Sequence, residues 1–124
     1  MAKSVHNDVI DAALDYVKTN CMRITLCSSE PTTFAEANST FALADVTVDA
    51  TDFTIADGDV SGRKLTVAEQ LSFAVDTTGT ATHVALLDVS NSKLLYVTTT
   101  TSTALTASRS VNLLTFDIEI LKPS

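Results

Sequence analysis

Five aspartates crowd the first half of the chain, Asp45, Asp49, Asp52, Asp57 and Asp59. Oxygen-rich clusters of this kind are how proteins hold hard cations such as calcium, provided several ligands converge on one cavity. The Asp57–Gly58–Asp59 triplet lacks the alternating acids and distal glutamate of an EF-hand loop, so turn-forming aspartate at strand ends is the plainer reading. His6, His83, Cys21 and Cys27 are zinc-type ligands, but no pair of them stands at the short C-x-x-C or H-x-x-x-H type of spacing that structural zinc uses. Nucleophilic catalysis has no G-x-S-x-G elbow to stand on, and three glycines in all leave no phosphate-cradling loop. A Ser/His/Asp trio can be picked from any chain of this composition and means nothing without geometry. Fifteen acids are too scattered to single out a catalytic pair. The expectation is no enzymatic activity, no cofactor and no metal.

The elements that would position any site are mostly strands. Residues 4–20 form the one clear helical pattern, with Ser4 or Asn7 as the expected cap and Asp8 and Asp11 near the positive end of its dipole. Ile10, Leu14 and Val17 recur at helical spacing, flanked by Val9, Ala13 and Tyr16, and make a broad apolar stripe suited to lying on a sheet. Residues 22–27 then alternate, Met22, Ile24 and Leu26 against Arg23, Thr25 and Cys27. Residues 28–40, with Pro31 and several hydroxyls, predict a long loop anchored at its ends by Phe34 and Phe41. Short strands are predicted over 44–48, 53–56, 64–67 and 71–75, separated by Asp- and Gly-rich turns. Three more apolar runs follow, at 83–88, 94–98 and 111–121, and the hydroxyl-rich residues 98–103 predict a solvated strand edge. In the last run Leu114, Phe116, Ile118 and Ile120 fall on one side and Thr115, Asp117 and Glu119 on the other.

The fold class this implies is mainly β, an antiparallel β-sandwich or flattened barrel of about eight strands with one N-terminal α-helix. All 124 residues are expected to form a single domain, helix 4–20 and β domain 22–121. The expected core is Ile10, Leu14, Val17, Ile24, Leu26, Phe53, Ile55, Leu65, Val67, Phe73, Val75, Val84, Leu86, Leu95, Val97, Phe116, Ile118 and Ile120. Phe116 is expected to sit deep enough that truncation to alanine costs about 3–5 kcal/mol.

Composition narrows the partners. Apolar residues make up 45% of the chain, enough for a core without staples. A formal charge of −7 and scattered lysines and arginines argue against a nucleic-acid ligand, whose affinity rests on phosphate contacts. No apolar run approaches the length of a membrane span, and the N-terminal residues predict no signal peptide. Two cysteines are too few for a disulfide framework, and Cys21 and Cys27 would stand about 20 Å apart at the two ends of an extended strand. Free thiols made in a reducing cytosol are expected.

The opening MAKSVHNDVIDAALDYVKTN, continuing through RITLCSSEPTTFAEA and FALADVTVDATDFTIADGDVSGRKLTV, resembles small virion-associated proteins of tailed bacteriophages and prophages. The end, GTATHVALLDVSNSKLLYVTTTTSTALTASRSVNLLTFDIEI, looks like the C-terminal segment of the same group, so the resemblance spans essentially the whole chain. It implies a phage structural protein, made in the host cytoplasm and localised to the virion, with no active site to carry over. An acidic exterior without a nucleic-acid-binding stripe favours a head decoration (cement) protein on the capsid surface. Its expected partners are the major capsid protein and itself, as a homo-oligomer with a trimer as first choice. The alternatives are a tail or tail-fibre-associated structural protein and a receptor- or carbohydrate-binding module, the last weakened by the absence of tryptophan. The partner contacts are expected on Ser28, Ser29, Glu30, Pro31, Thr32, Thr33 and Phe34, with the polar end of the helix beside them.

Overall fold

The computed structural model describes residues 5–59 and 61–121. The helix, α1, runs Asn7–Asn20, and Ser4 lies outside the described residues. Asn7 is its first residue and does not cap it. His6 does, in an extended conformation, its Nδ1 accepting from the Asp8 amide at 3.0 Å. A ring nitrogen can do the work of a cap oxygen, because only an acceptor near the orphan amides is needed. Val5 before the cap and Ile10 in the second turn both join the main core, the arrangement of a hydrophobic staple. Asp8 lies in the first turn and Lys18 in the last, each matching the dipole.

Nine strands follow among the described residues: β1 Arg23–Cys27, β2 Ala42–Thr47, β3 Phe53–Asp57, β4 Arg63–Val67, β5 Gln70–Ala74, β6 Gly79–Asp88, β7 Lys93–Leu105, β8 Ser110–Leu113 and β9 Phe116–Ile120. All pairings are antiparallel. One sheet has the order β2-β1-β6-β7, a second β3-β4-β9, and a third pairs β5 with β8. A bridge between Ala44 and Val75 links the first and third sheets, with Leu43 O accepting from Asp76 N at 2.8 Å. The result is the expected mainly-β, sandwich-like fold with one N-terminal helix.

Residues 111–121 are two strands rather than one. Leu113 pairs with Gln70 of β5, whereas Phe116 pairs with Val67 of β4, so the chain changes sheets across Leu114 and Thr115. Leu114 therefore leaves the core row it was expected to join and is 72% exposed. From Phe116 on, the predicted alternation holds: Ile118 is buried opposite Leu65, and Asp117 and Glu119 point to the outer face. Phe116 is only half-buried, because the space beside this crossing stays open, and its truncation should cost less than a full core phenylalanine.

Two apolar clusters hold the layers together. The larger takes Ile10 and Leu14 from α1, Ile24 and Leu26 from β1, Phe53, Leu65, Val67, Phe73, Val84, Leu86 and Ile118, with Val17, Ile55, Leu95 and Ile120 at its margin. The smaller lies on the opposite face of the four-stranded sheet and joins Cys27, Ala37, Ala85 and Leu87 to Phe34, Phe41, Leu94 and Val97. Val97 was expected beside Leu95 in the main core. A bulge between Leu86 and Leu87 inserts Leu95 into β7, so Val97 pairs with Ala85 and faces the other way. Each face of β1 is therefore buried from Ile24 to Cys27, where simple alternation predicted one wet side.

What covers that second face is the segment predicted as a loop. Residues 34–35 continue helically into a π-helical turn, Glu36–Thr40, closed by Phe41 N donating to Glu36 O at 2.8 Å. Thr33 Oγ1 accepts from Glu36 N, and the Glu36 carboxylate accepts from Thr32 N and Oγ1 at 2.9 and 2.8 Å. This is close to a capping box, and it satisfies the first amides of the turn. Phe34 and Phe41 anchor the two ends, as their positions suggested.

The outer strand β7 is irregular. Thr99 pairs with His83 and Thr103 with Ala81, so Thr100, Thr101 and Ser102 together stand opposite Thr82 alone. Thr103 Oγ1 donates to Thr101 O at 2.9 Å within this bulge. The residues predicted as a solvated edge do form one, on a strand paired on one side only.

Phe73 has no exposed surface and belongs to the main cluster. Phe73→Ala is expected to lower the unfolding free energy by about 3–5 kcal/mol. Phe116→Ala, at its open border, should cost less, and urea unfolding of the two variants side by side checks the order.

Candidate interaction surfaces

The acidic residues resolve into turn chemistry. Asp49 caps a short 3-10 helix, Ala50–Asp52: its carboxylate accepts from Thr51 N at 2.9 Å, and Asp52 accepts from Asp49 N at 3.0 Å. Asp57 and Asp59 border the β3–β4 turn and pair with Arg63 and Lys64 at 2.7 and 2.8 Å. Gly62 in that turn sits at φ 70°, and a Cβ there would collide with the Ile120 carbonyl oxygen. No group of three or more His, Cys, Asp or Glu stands ready for a metal among the described residues.

Arg63 does more than close the turn. Its Nε donates to Asp11 of α1 at 2.8 Å while Nη1 donates to Asp57, so one guanidinium ties the helix to the β3–β4 pair. The planar fork of arginine suits such a two-sided contact better than a lysine would.

Asp45 is a different case. It projects from β2 on the same side as Thr25, near Asp76 beyond the end of β5. Partial burial, followed by a shared hydrogen bond with Asp76, pushes its carboxyl above the ordinary aspartate value, and Arg23 opposes the shift. The pair lies beside the Ala44–Val75 bridge that links the first and third sheets.

Both cysteines are buried and unpaired. Cys21 lies between α1 and β1, and Cys27 ends β1 beneath the π-helical turn, its Sγ 3.7 Å from Ala37 O. Burial pushes the Cys21 thiol up to about 11 and raises Cys27 as well.

The expected partner segment divides. Ser28, Ser29, Glu30, Thr32 and Thr33 are exposed, whereas Pro31 is buried and Phe34 half-buried against the smaller cluster. Part of the segment is thus spent covering the sheet, and its exposed part is small and polar. The T-x-x-E spacing of Thr33 and Glu36 was the sequence signal for this turn.

Two other surfaces stand out. A cleft of about 380 Å³ opens between the bulged part of β7 and the β8–β9 crossing, lined by Thr98–Thr101, Thr103, Asn112–Asp117 and Val84. Thr98, Thr99 and Thr100 of β7 contribute to its polar lining beside Asn112, Thr115 and Asp117 of the β8–β9 crossing. Leu114 stands at its edge and Leu71, 61% exposed, lies on the neighbouring β5.

The second surface is the outer side of α1. Val9 (63% exposed), Ala12, Ala13 and Tyr16 (45%) follow one another at helical spacing and touch solvent together. Lys93 reaches the Tyr16 hydroxyl at 3.0 Å, its ammonium 5.6 Å from the ring centre. Sequence periodicity read Val9, Ala13 and Tyr16 as flanks of the apolar stripe that lies on the sheet, and it did not single out Ala12. No family model matches this chain, and neither does any curated protein or solved structure.

Two outcomes follow from these groups. Ellman's reagent should modify Cys21 and Cys27 slowly in the folded protein at pH 8, and both rapidly in guanidinium. Asp45, with its folded value raised, contributes stability that is present below its unfolded value near 3.8 and lost as pH rises through the folded one. Asp45→Asn removes that loss, so the variant should melt at or above wild type at pH 7, with the gap closing as pH falls toward 4. Thermal melts across that range check the sign.

Proposed function

We propose that this protein is a structural component of a tailed-phage virion, a head decoration protein that binds the capsid exterior through surface complementarity. The resemblance of the whole sequence to small virion-associated proteins supports the context. The observation that carries the role is the outer face of α1, where Val9, Ala12, Ala13 and Tyr16 form a contiguous apolar strip in solvent. Contiguous exposed apolar surface marks a place where another macromolecule binds. The charge of −7 suits a partner surface other than packaged nucleic acid.

In this reading the protein works as a symmetric oligomer, a trimer first, and engages several capsid subunits at once. Modest contacts then add by avidity. The exposed residues Ser28, Ser29, Glu30, Thr32 and Thr33 remain proposed contacts, with Pro31 and Phe34 supporting them from beneath. The threonine-lined cleft favours a second reading, a receptor- or carbohydrate-binding module, because a polar, hydroxyl-bearing lining suits a neutral polyhydroxylated ligand.

Imaging virions with and without the gene separates these. The decoration reading expects density for this chain on the outer shell, and shells lacking it should release DNA at a lower temperature. Density along the tail would move the protein there, and normal particles that fail to adsorb would favour the receptor-binding reading.

A further inference from the structure

We propose that the outer face of α1 is the docking surface for a protein that presents apolar side chains bordered by lysine or arginine. The inference rests on the virion reading, in which that protein is the capsid shell. The helix needs only Ile10, Leu14 and Val17 to seat on the core, yet its apolar arc continues through Val9, Ala12, Ala13 and Tyr16. Solvent gives no return for valine at an exposed helical position, where its branched side chain lowers helix propensity. The two alanines leave a shallow groove between the larger ends, which allows close approach of an opposing surface.

Charge selects the partner. Asp8 and Asp15, two turns apart, form a row along the border of the strip away from the core. Asp11, between them, is neutralised by Arg63 at 2.8 Å. Among the described residues Asp8 has only His6 at 3.6 Å, and Asp15 accepts only a weak bond from Thr19 at 3.4 Å. Two carboxylates with no lysine or arginine partner among the described residues thus border the apolar strip, and basic groups opposite them complete the contact.

The same row argues against a second copy of this chain. Antiparallel two-fold packing would set Val9 against Tyr16 and Ala12 against Ala13, a good steric match. A two-fold axis, however, places each border beside its own image. Asp8 and Asp15 of one copy would then line up with Asp15 and Asp8 of the other, and like charges at that spacing repel.

The test uses shells assembled without this protein, to which purified protein is added back and co-sedimented. Wild type should bind. Ala13→Glu, which keeps a strong helix former at an exposed position, should weaken binding by about tenfold with an unchanged melting temperature. Asp15→Lys should bind several-fold more weakly at low salt, and wild-type binding should fall as salt rises. If wild type binds and both variants bind equally well, the inference fails while the virion reading stands. Failure of wild type to bind overturns both. A smaller oligomer for Ala13→Glu in sedimentation without shells would show that the face belongs to a second copy, and tighter binding by Asp15→Lys would show an acidic partner; either overturns the proposal.

Discussion

Burial of β1 on both faces is the constraint from which the rest of this architecture follows. Antiparallel sheets commonly leave one face to water, yet Ile24 and Leu26 sink into the main cluster while Thr25 and Cys27 sink into the other. The second face must therefore be covered, and the chain does so with the helical segment that carries Phe34, Ala37 and Phe41. Small side chains on that face fit the requirement. Ala85 and Cys27 let the turn approach, and the buried Thr25 hydroxyl finds the Cys27 sulfur at 3.5 Å. Any larger residue at these positions would push the cover away.

The other layer is organised around α1. Ile10 and Leu14 fill the space above β3 and β4, and Arg63 fixes the helix there through Asp11. Because the buried seam and the Arg63 contact set the rotation of the helix, they also set which residues face out. The exposed strip of Val9, Ala12, Ala13 and Tyr16 is thus as firmly oriented as the core itself. A binding face on a helix held this way loses little freedom on docking.

Most of the fold was legible because period-two and helical spacing report burial directly. The core assignments of Leu65, Val67, Val84, Leu86 and Ile118 needed nothing beyond alternation. Three features escaped for separate physical reasons. Val97 was placed on the wrong face because an inserted residue reverses every side chain after it, and a bulge leaves no mark in an apolar run. The crossing at Leu114 and Thr115 was hidden because alternation continues through it even though the partner strand changes. The cover over β1 was hidden because its only large apolar anchors are Phe34 and Phe41, too few to show a helical period. The exposed strip on α1 was visible in part, as Val9, Ala13 and Tyr16 flanking the buried seam, but spacing alone does not say whether such flanks meet the sheet or solvent.

The bulge in β7 has a bearing on life at high concentration. A regular outer strand offers a row of free amides and carbonyls to which another chain's strand can add, and repeated addition grows fibres. Three residues crowded opposite Thr82 break that row, and Thr103 occupies the Thr101 carbonyl with its own hydroxyl. The strand therefore makes a poor template. Copies of this protein can be packed side by side and meet through side chains, while their sheets stay separate.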